Sequence, residues 1–254
     1  MAHILLEICC GSVHDAVNAR NGGADRVELC SALFLGGLTP SLASLLEAKQ
    51  RTDIPVMAML RPRQGGFCYD EVDFAVMLRD AQLFLEHRAD GVVLGILRED
   101  STIDAERCRE ILSRIPKSKG KTKVESVFHR AFDLVPDPAQ ALEELIDLGF
   151  TRVLTSGQRE TALAGSELIG NLVRQARGRI EILPGAGVRP HNVRELLAAT
   201  GCTQIHATAF CQRHDPSAAR TEIRFGDPAS PPESEYDLVS QTDVTLLRDE
   251  LDAI

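Results

Sequence analysis

No stretch of this 254-residue chain approaches the roughly 20 consecutive apolar residues that a membrane helix needs. The start, Met1-Ala2-His3-Ile4-Leu5-Leu6, has neither a basic opening nor a sustained apolar run, so no signal peptide is expected. Cations are outnumbered, with 28 Lys and Arg against 37 Asp and Glu and a formal net charge of -9. A nucleic-acid footprint needs a surplus of Lys and Arg, so bulk binding to a phosphate backbone is excluded and any anion site must be local. The seven cysteines, at positions 9, 10, 30, 68, 108, 202 and 211, include no C-x-x-C pair. An odd count in a chain of this size does not read as a disulfide framework, and reduced thiols in the cytoplasm are expected. Low-complexity tracts and a shift of composition between halves are also absent, which favours one domain over residues 1–254.

What is present is a rhythm. Short apolar runs near 4–9, 25–30, 55–60, 90–95, 123–128, 151–155, 179–183 and 203–207 alternate with amphipathic stretches, as βα units do. The runs are nearly continuous in apolar character, as parallel strands buried on both faces should be. Helix starts are signalled by Ser12-x-x-Asp15, Thr39-Pro40 and Asp137-Pro138, and stops by Asn21-Gly22 and Gly149. Eight such units in about 250 residues predict an α/β fold, the closed (β/α)8 TIM barrel. The open dinucleotide-binding alternative would want G-x-G-x-x-G after its first strand, where only Gly11 stands. Residues 209–240 are polar and rich in proline, so they read as a long loop before a last helix near 242–253. The lysine-rich segment 117–123 reads as a solvated loop.

Reactive groups of such a barrel sit where its strands end. The first two strands each close on Glu-x-Cys, Glu7 with Cys9 and Glu28 with Cys30, a spacing that puts carboxylate and thiol on one face of a strand. Arg61 and Arg63 flank Pro62 after the third strand, and an inward salt bridge from Arg61 to Glu7 or Glu28 is expected. Arg130 is expected on the surface with Asp133. His129 closes the fifth strand and His206 the eighth, placed to move protons between carboxylates and a bound molecule. Ser156 and Gly157 after the sixth strand, and Gly185 and Gly187 after the seventh, stand where TIM barrels often hold phosphate with backbone N–H groups. Tight βα turns would need glycine there in any case.

Several of these motifs together resemble the CutC family: Leu6-Glu7-Ile8-Cys9, Gly23-Ala24-Asp25-Arg26-Val27-Glu28-Leu29-Cys30, Gly36-Gly37-Leu38-Thr39-Pro40-Ser41, Arg61-Pro62-Arg63, Phe128-His129-Arg130-Ala131-Phe132-Asp133 and Val153-Leu154-Thr155-Ser156-Gly157. The likeness runs from about residue 4 to 207 and implies a TIM barrel and a role in cytoplasmic copper homeostasis. Val127 departs from it, standing where the family often has threonine.

Two readings of the strand ends stay open. In the first, Cu(I), a soft ion, is taken by the thiols of Cys9 and Cys30, which adjacent strands about 4.8 Å apart bring within reach of one ion if both point inward. Met57 and Met59 share a parity and could add thioethers, although filling the core is the plainer use, as it is for buried free cysteines. In the second, the chain is an enzyme for an anionic small molecule. Arg61 with Ser156, Gly157, Gly185 and Gly187 would hold that molecule, and Glu7, Glu28, His129 and His206 would handle protons. A copper ion or such an anion is thus the expected partner, in a homodimer or higher homo-oligomer.

Overall fold

The computed structural model describes residues 3–116, 124–220, 223, 225 and 232–254. Segment 117–123 and the prolines of Asp227-Pro228-Ala229-Ser230-Pro231 lie outside the described residues. Eight strands form one parallel sheet: β1 (Leu5–Cys10), β2 (Arg26–Leu29), β3 (Val56–Met59), β4 (Gly91–Leu94), β5 (Glu125–Phe128), β6 (Arg152–Thr155), β7 (Glu181–Pro184) and β8 (Gln204–Ala207). Their order is β7-β6-β5-β4-β3-β2-β1-β8, so the sheet rolls into a nearly closed barrel whose last seam, between β7 and β8, carries no ladder bonds. Each strand lies within two residues of its expected position. The fold is the TIM barrel that the rhythm predicts.

Helices α1 (Val13–Asn21), α2 (Leu42–Arg51), α3 (Glu71–Glu86), α4 (Ala105–Ser113), α5 (Pro138–Leu148), α6 (Ser166–Ala176) and α7 (Val193–Thr200) cover the outside. Among the described residues none is long and apolar enough to cross a membrane. Their starts follow local chemistry. Ser12 Oγ accepts from the Asp15 N–H at 3.0 Å, and Asp137 accepts from Ala139 and Gln140 with Pro138 at the first helical position. At α2 the cap is Ser41 rather than Thr39. Thr39 has another task, since its Oγ1 accepts the Arg61 N–H at 2.9 Å and ties the end of β3 to the preceding loop.

Alternation along the strands separates two cores. Leu6, Ile8, Val27, Leu29 and Ala58 face the helices, whereas Cys9, Cys30, Met57, Met59, Val93 and Leu183 fill the barrel. Its lower end is closed by charge. Arg152 bonds Glu125 at 2.9 Å, Glu181 at 2.6 Å and Gln204 at 2.9 Å, while Arg26 bonds Glu7 and, at 3.2 Å, the same Gln204. The cavity lined by Cys9, Arg61, His129 and His206 lies at the other end, where the strands reach their C-termini.

The segment 209–240 departs from the loop expected of it. Its ends pair as an antiparallel ribbon, β9 (Phe210–His214) with β10 (Glu235–Val239), Phe210 opposite Val239. Asp15 on α1 accepts the Val239 N–H at 2.7 Å and Asn18 donates to the Val239 carbonyl at 2.9 Å, which anchors the ribbon to the barrel. The final helix, α8 (Gln241–Asp252), follows where expected. The partners in the ribbon lie more than 20 residues apart, so no local signal announces it.

Candidate functional site

Strand register builds the floor of the open end. Glu7 lies opposite Arg26 on β2 and opposite His206 on β8, and one step further up Cys9 lies opposite Glu28. Glu7 therefore takes the Arg26 guanidinium on one side and His206 Nδ1, at 2.7 Å, on the other. Burial opposes ionisation of Glu7, yet Arg26 and His206 outweigh it and hold the carboxyl well below the usual range. Burial would also depress His206, but Glu28, Cys9 and Glu7 around it raise it well above its ordinary value. It stands as an imidazolium beside Cys9.

The two thiols share Glu28. Its Oε1 lies 3.7 Å from Cys9 Sγ and 3.6 Å from Cys30 Sγ, and its Oε2, fully buried, has no hydrogen-bond partner among the described residues. Hydrogen bonding with Cys30 and with His206 pulls the Cys9 thiol down to about 5 against the cost of burial. Cys30 moves the other way, well above its ordinary value, because Cys9 and burial both favour its neutral form. Burial pushes Glu28 up to about 8. Among these closely packed groups Cys9 is thus the member left ionised, while Cys30 and Glu28 keep their protons near neutrality. The ligand atoms of Cys9, Glu28 and Cys30 lie within 4.8 Å of one another, as do those of Glu7, Glu28 and His206.

Above this floor is a cavity of about 250 Å³, lined among others by Cys9, Glu28, Met59, Arg61, Phe67 and His129. Arg61 makes no salt bridge to Glu7 or Glu28. Its guanidinium donates instead to the carbonyls of Leu35, Gly37 and Gly65, at 2.9, 3.1 and 2.7 Å, and stacks over the Phe67 ring at 5.2 Å. The glycines make this possible, because Gly36 and Gly37, at φ of 84° and 82°, turn the chain back toward the guanidinium and the Cys30 sulfur. Glu7 is out of reach for a plain reason: its neighbour Arg26 already occupies it. His129 accepts the Ala131 N–H at its Nδ1, at 3.1 Å, which leaves the proton on Nε2. Burial, helped by the nearby Arg61, pushes His129 down to about 3, so it stands neutral at pH 7. In that state the ring offers its Nε2–H as a hydrogen-bond donor.

The CutC family model matches residues 4–211 of the chain. This chain belongs to the CutC family. A Treponema denticola protein named family protein CutC is 50% identical over 246 residues, 96% of this chain and 98% of its own length. The human copper homeostasis protein cutC homolog is 44% identical over 245 residues, 96% of this chain and 86% of its own. The solved structure of a CutC protein from Streptococcus agalactiae, titled for copper homeostasis, superposes with a TM-score of 0.74 at 36% identity, covering 80% of this chain and 98% of that one.

In this CutC chain the amides of Ser156, Gly157 and Gly185 are bonded within the protein. Asp133 accepts from the Ser156 N–H at 3.0 Å, the Thr155 hydroxyl at 2.5 Å and the Gln158 N–H at 3.2 Å, and the Gly157 N–H is taken by Thr155 Oγ1 at 2.9 Å. Ser156 and Gly157 have no donor left to offer from those amides. Gly185 spends its N–H on the Thr155 carbonyl at 3.0 Å and packs against His206, where an added Cβ would lie 3.3 Å from the histidine's own Cβ. Only Gly187 and Arg61 of that set line the cavity. Arg130 pairs with Asp133 at 2.8 Å, as expected.

All seven cysteines are free thiols. Cys10 faces the helices, Cys108 and Cys202 are buried away from the cavity, and Cys68 is exposed. Met57 and Met59 pack in the same inner cluster as Cys9 and Cys30. Two kinds of site residue escape the sequence reading. Arg26 shares the parity of Glu28 and Cys30 and was open to detection by that rule, whereas Phe67, Thr208 and Phe210 arrive from loops and the ribbon with no periodic signal.

Proposed function

We propose that this CutC chain is a cytoplasmic copper homeostasis protein that takes Cu(I) as its cargo on the thiolates of Cys9 and Cys30. The observation that carries the reading is the meeting of these two sulfurs and the Glu28 carboxyl within 4.8 Å of one another, with Cys9 and Glu28 lining an open cavity. Soft thiolates select Cu(I) over hard divalent ions, and a thioether from Met59 lines the same cavity. The alternative cluster of Glu7, Glu28 and His206 is less apt for metal, because Glu7 and His206 are already bonded to each other and Glu7 to Arg26. Glu7, Glu28 and His206, expected to move protons, serve here to set the charge around the sulfurs. The reading needs both thiols reduced, which goes with a cytoplasmic setting. The copper homeostasis names of the human and Streptococcus agalactiae relatives support it.

The test is Cu(I) titration under reducing conditions against a competing chelator. Cys9→Ser combined with Cys30→Ser abolishes stoichiometric binding, while Cys68→Ser, at an exposed position, leaves it unchanged. Parental affinity in the double variant would reject these ligands.

A further inference from the structure

The chain has three deeply buried guanidinium groups on its barrel strands and their ends, and one is unlike the others. Arg26 and Arg152 are each met by carboxylates, Glu7 for the first and Glu125 and Glu181 for the second. Arg61 is 6% exposed, yet among the described residues no carboxylate lies within 4.0 Å of it. Three backbone carbonyls and the face of Phe67 solvate it, and its Nε has no hydrogen-bond partner among the described residues. A buried cation is normally paired with an anion, because carbonyl dipoles replace only part of its lost hydration.

A second unmet donor stands beside it. His129 is buried, its Nδ1 is committed to the Ala131 N–H, and among the described residues its Nε2 has no partner. Gly95 keeps the ring there: a Cβ at position 95 would lie 2.4 Å from His129 Cε1. Phe67 joins the two groups, with Arg61 over its ring at 5.2 Å and the His129 ring 4.8 Å from its centroid. Both residues line the cavity of about 250 Å³, whose other walls include Leu33, Met59 and Leu154. The lining also holds Glu28, His206 and Arg130, the last already paired with Asp133; the donors of Arg61 and His129 left unmet, beside aliphatic and aromatic surface, make this the lining of a small-molecule site.

We propose that this cavity binds a small organic carboxylate, whose oxygens are received by Arg61 and His129 Nε2–H and whose apolar body lies against Phe67, Met59 and Leu154. The volume equals about eight waters at roughly 30 Å³ each, which limits the ligand to a compact molecule. Phosphate fits less well. The amides of Ser156 and Gly157 that would have cradled it are held by Asp133 and Thr155, and the remaining lining is largely apolar. The inference turns on groups other than the copper ligands: Arg61 and His129 receive the carboxylate, whereas Cys9 and Cys30 would take the metal.

The full-length chain is titrated with butyrate, lactate and benzoate, and separately with inorganic phosphate, by calorimetry and thermal shift. At least one carboxylate binds in the millimolar range or tighter, about −4 kcal/mol by the standard conversion, and phosphate does not. Arg61→Gln and His129→Gln each weaken that binding about tenfold or more, as expected for loss of a charge-assisted donor. Because Arg61 also holds three loop carbonyls, Leu33→Trp serves as a second variant that narrows the cavity without touching either donor, and it too abolishes binding. Nitrogen-15 spectra of the parent show His129 protonated at Nε2, with that signal moving on addition of the carboxylate. Cys9→Ser with Cys30→Ser retains carboxylate binding, which separates this site from the copper reading. Absence of binding by all three carboxylates, binding of phosphate alone, or parental affinity in folded Leu33→Trp would overturn the proposal.

Discussion

Cys9 and Cys10 are neighbours in sequence with identical chemistry, and one step along a strand sends them into different worlds. Cys10 packs under the helices, where burial raises its thiol well above the ordinary range. Cys9 turns inward to a histidine, a second thiol and a carboxyl, and its hydrogen bonds with Cys30 and His206 pull the thiol down to about 5. Parity is a residue-scale fact legible in sequence, and it was enough to separate the two. His129 shows the limit of that kind of reading. A histidine at a strand end suggests a proton carrier, but a main-chain N–H two residues on and the depth of the site make it a donor that is neutral near pH 7. Its titration has a measurable consequence. The unfolded chain takes up a proton near 6.5 and the folded one only near 3, so below 6.5 the unfolded state binds more protons and stability falls as pH falls. Each pH unit within that window costs about 1.4 kcal/mol. Urea denaturation of the parent and of His129→Gln should show the parent losing about 2 kcal/mol more than the variant between neutral pH and about pH 5. Parallel pH profiles would mean that the imidazole titrates normally.

At the scale of elements, the register of β1 with its two neighbours does most of the assembly. One alignment sets Glu7 between Arg26 and His206, and the next sets Cys9 against Glu28. A slip of one residue would turn every one of these groups into the helix-facing core. The base of the barrel has a structural part distinct from the site. Arg152, only 1% exposed, joins β5, β6, β7 and β8 through Glu125, Glu181 and Gln204. Arg152→Met leaves two carboxylates and an amide short of a partner, and chemical denaturation should register a loss of about 3 kcal/mol. The value sits at the low end for a broken buried ion pair because the Glu125 and Glu181 side chains keep 30% and 50% of their solvent exposure. A change below about 0.5 kcal/mol, the range of an ordinary surface substitution, would show that the base is held without this network.

For the whole molecule, the ring of strands has one weak join. Every neighbouring pair is laddered except β7 with β8, where Gly185 and His206 pack side by side. Opening free energies follow local bonding, so in native-state hydrogen exchange the amides of β7 and β8 facing that seam should exchange ahead of those in β2 to β5. Uniform protection around the barrel would show the seam to be as strong as the ladders. Much of this architecture was readable in advance, since buried parallel strands and amphipathic helices carry periods of 2 and 3.6 along the chain itself. The inward thiols and carboxylates of β1 and β2 were readable for the same reason. Less of the site was legible where the partners are distant in sequence. The carbonyls that hold Arg61 come from Leu35, Gly37 and Gly65, the ribbon that supplies Phe210 pairs across more than 20 residues, and Asp133 claims the Ser156 amide from a different βα loop.

By itself the order of residues determined the barrel, its strand parities and the inward course of Glu7, Cys9, Glu28 and Cys30, because each follows from a local repeat. Which donors are spent and which remain free was decided only in three dimensions. Hydrogen-bond capacity is used up by whatever arrives in space: Asp133 and Thr155 exhaust the expected anion loop, and Arg26 takes Glu7. Arg61 and His129 are left with donors unmet.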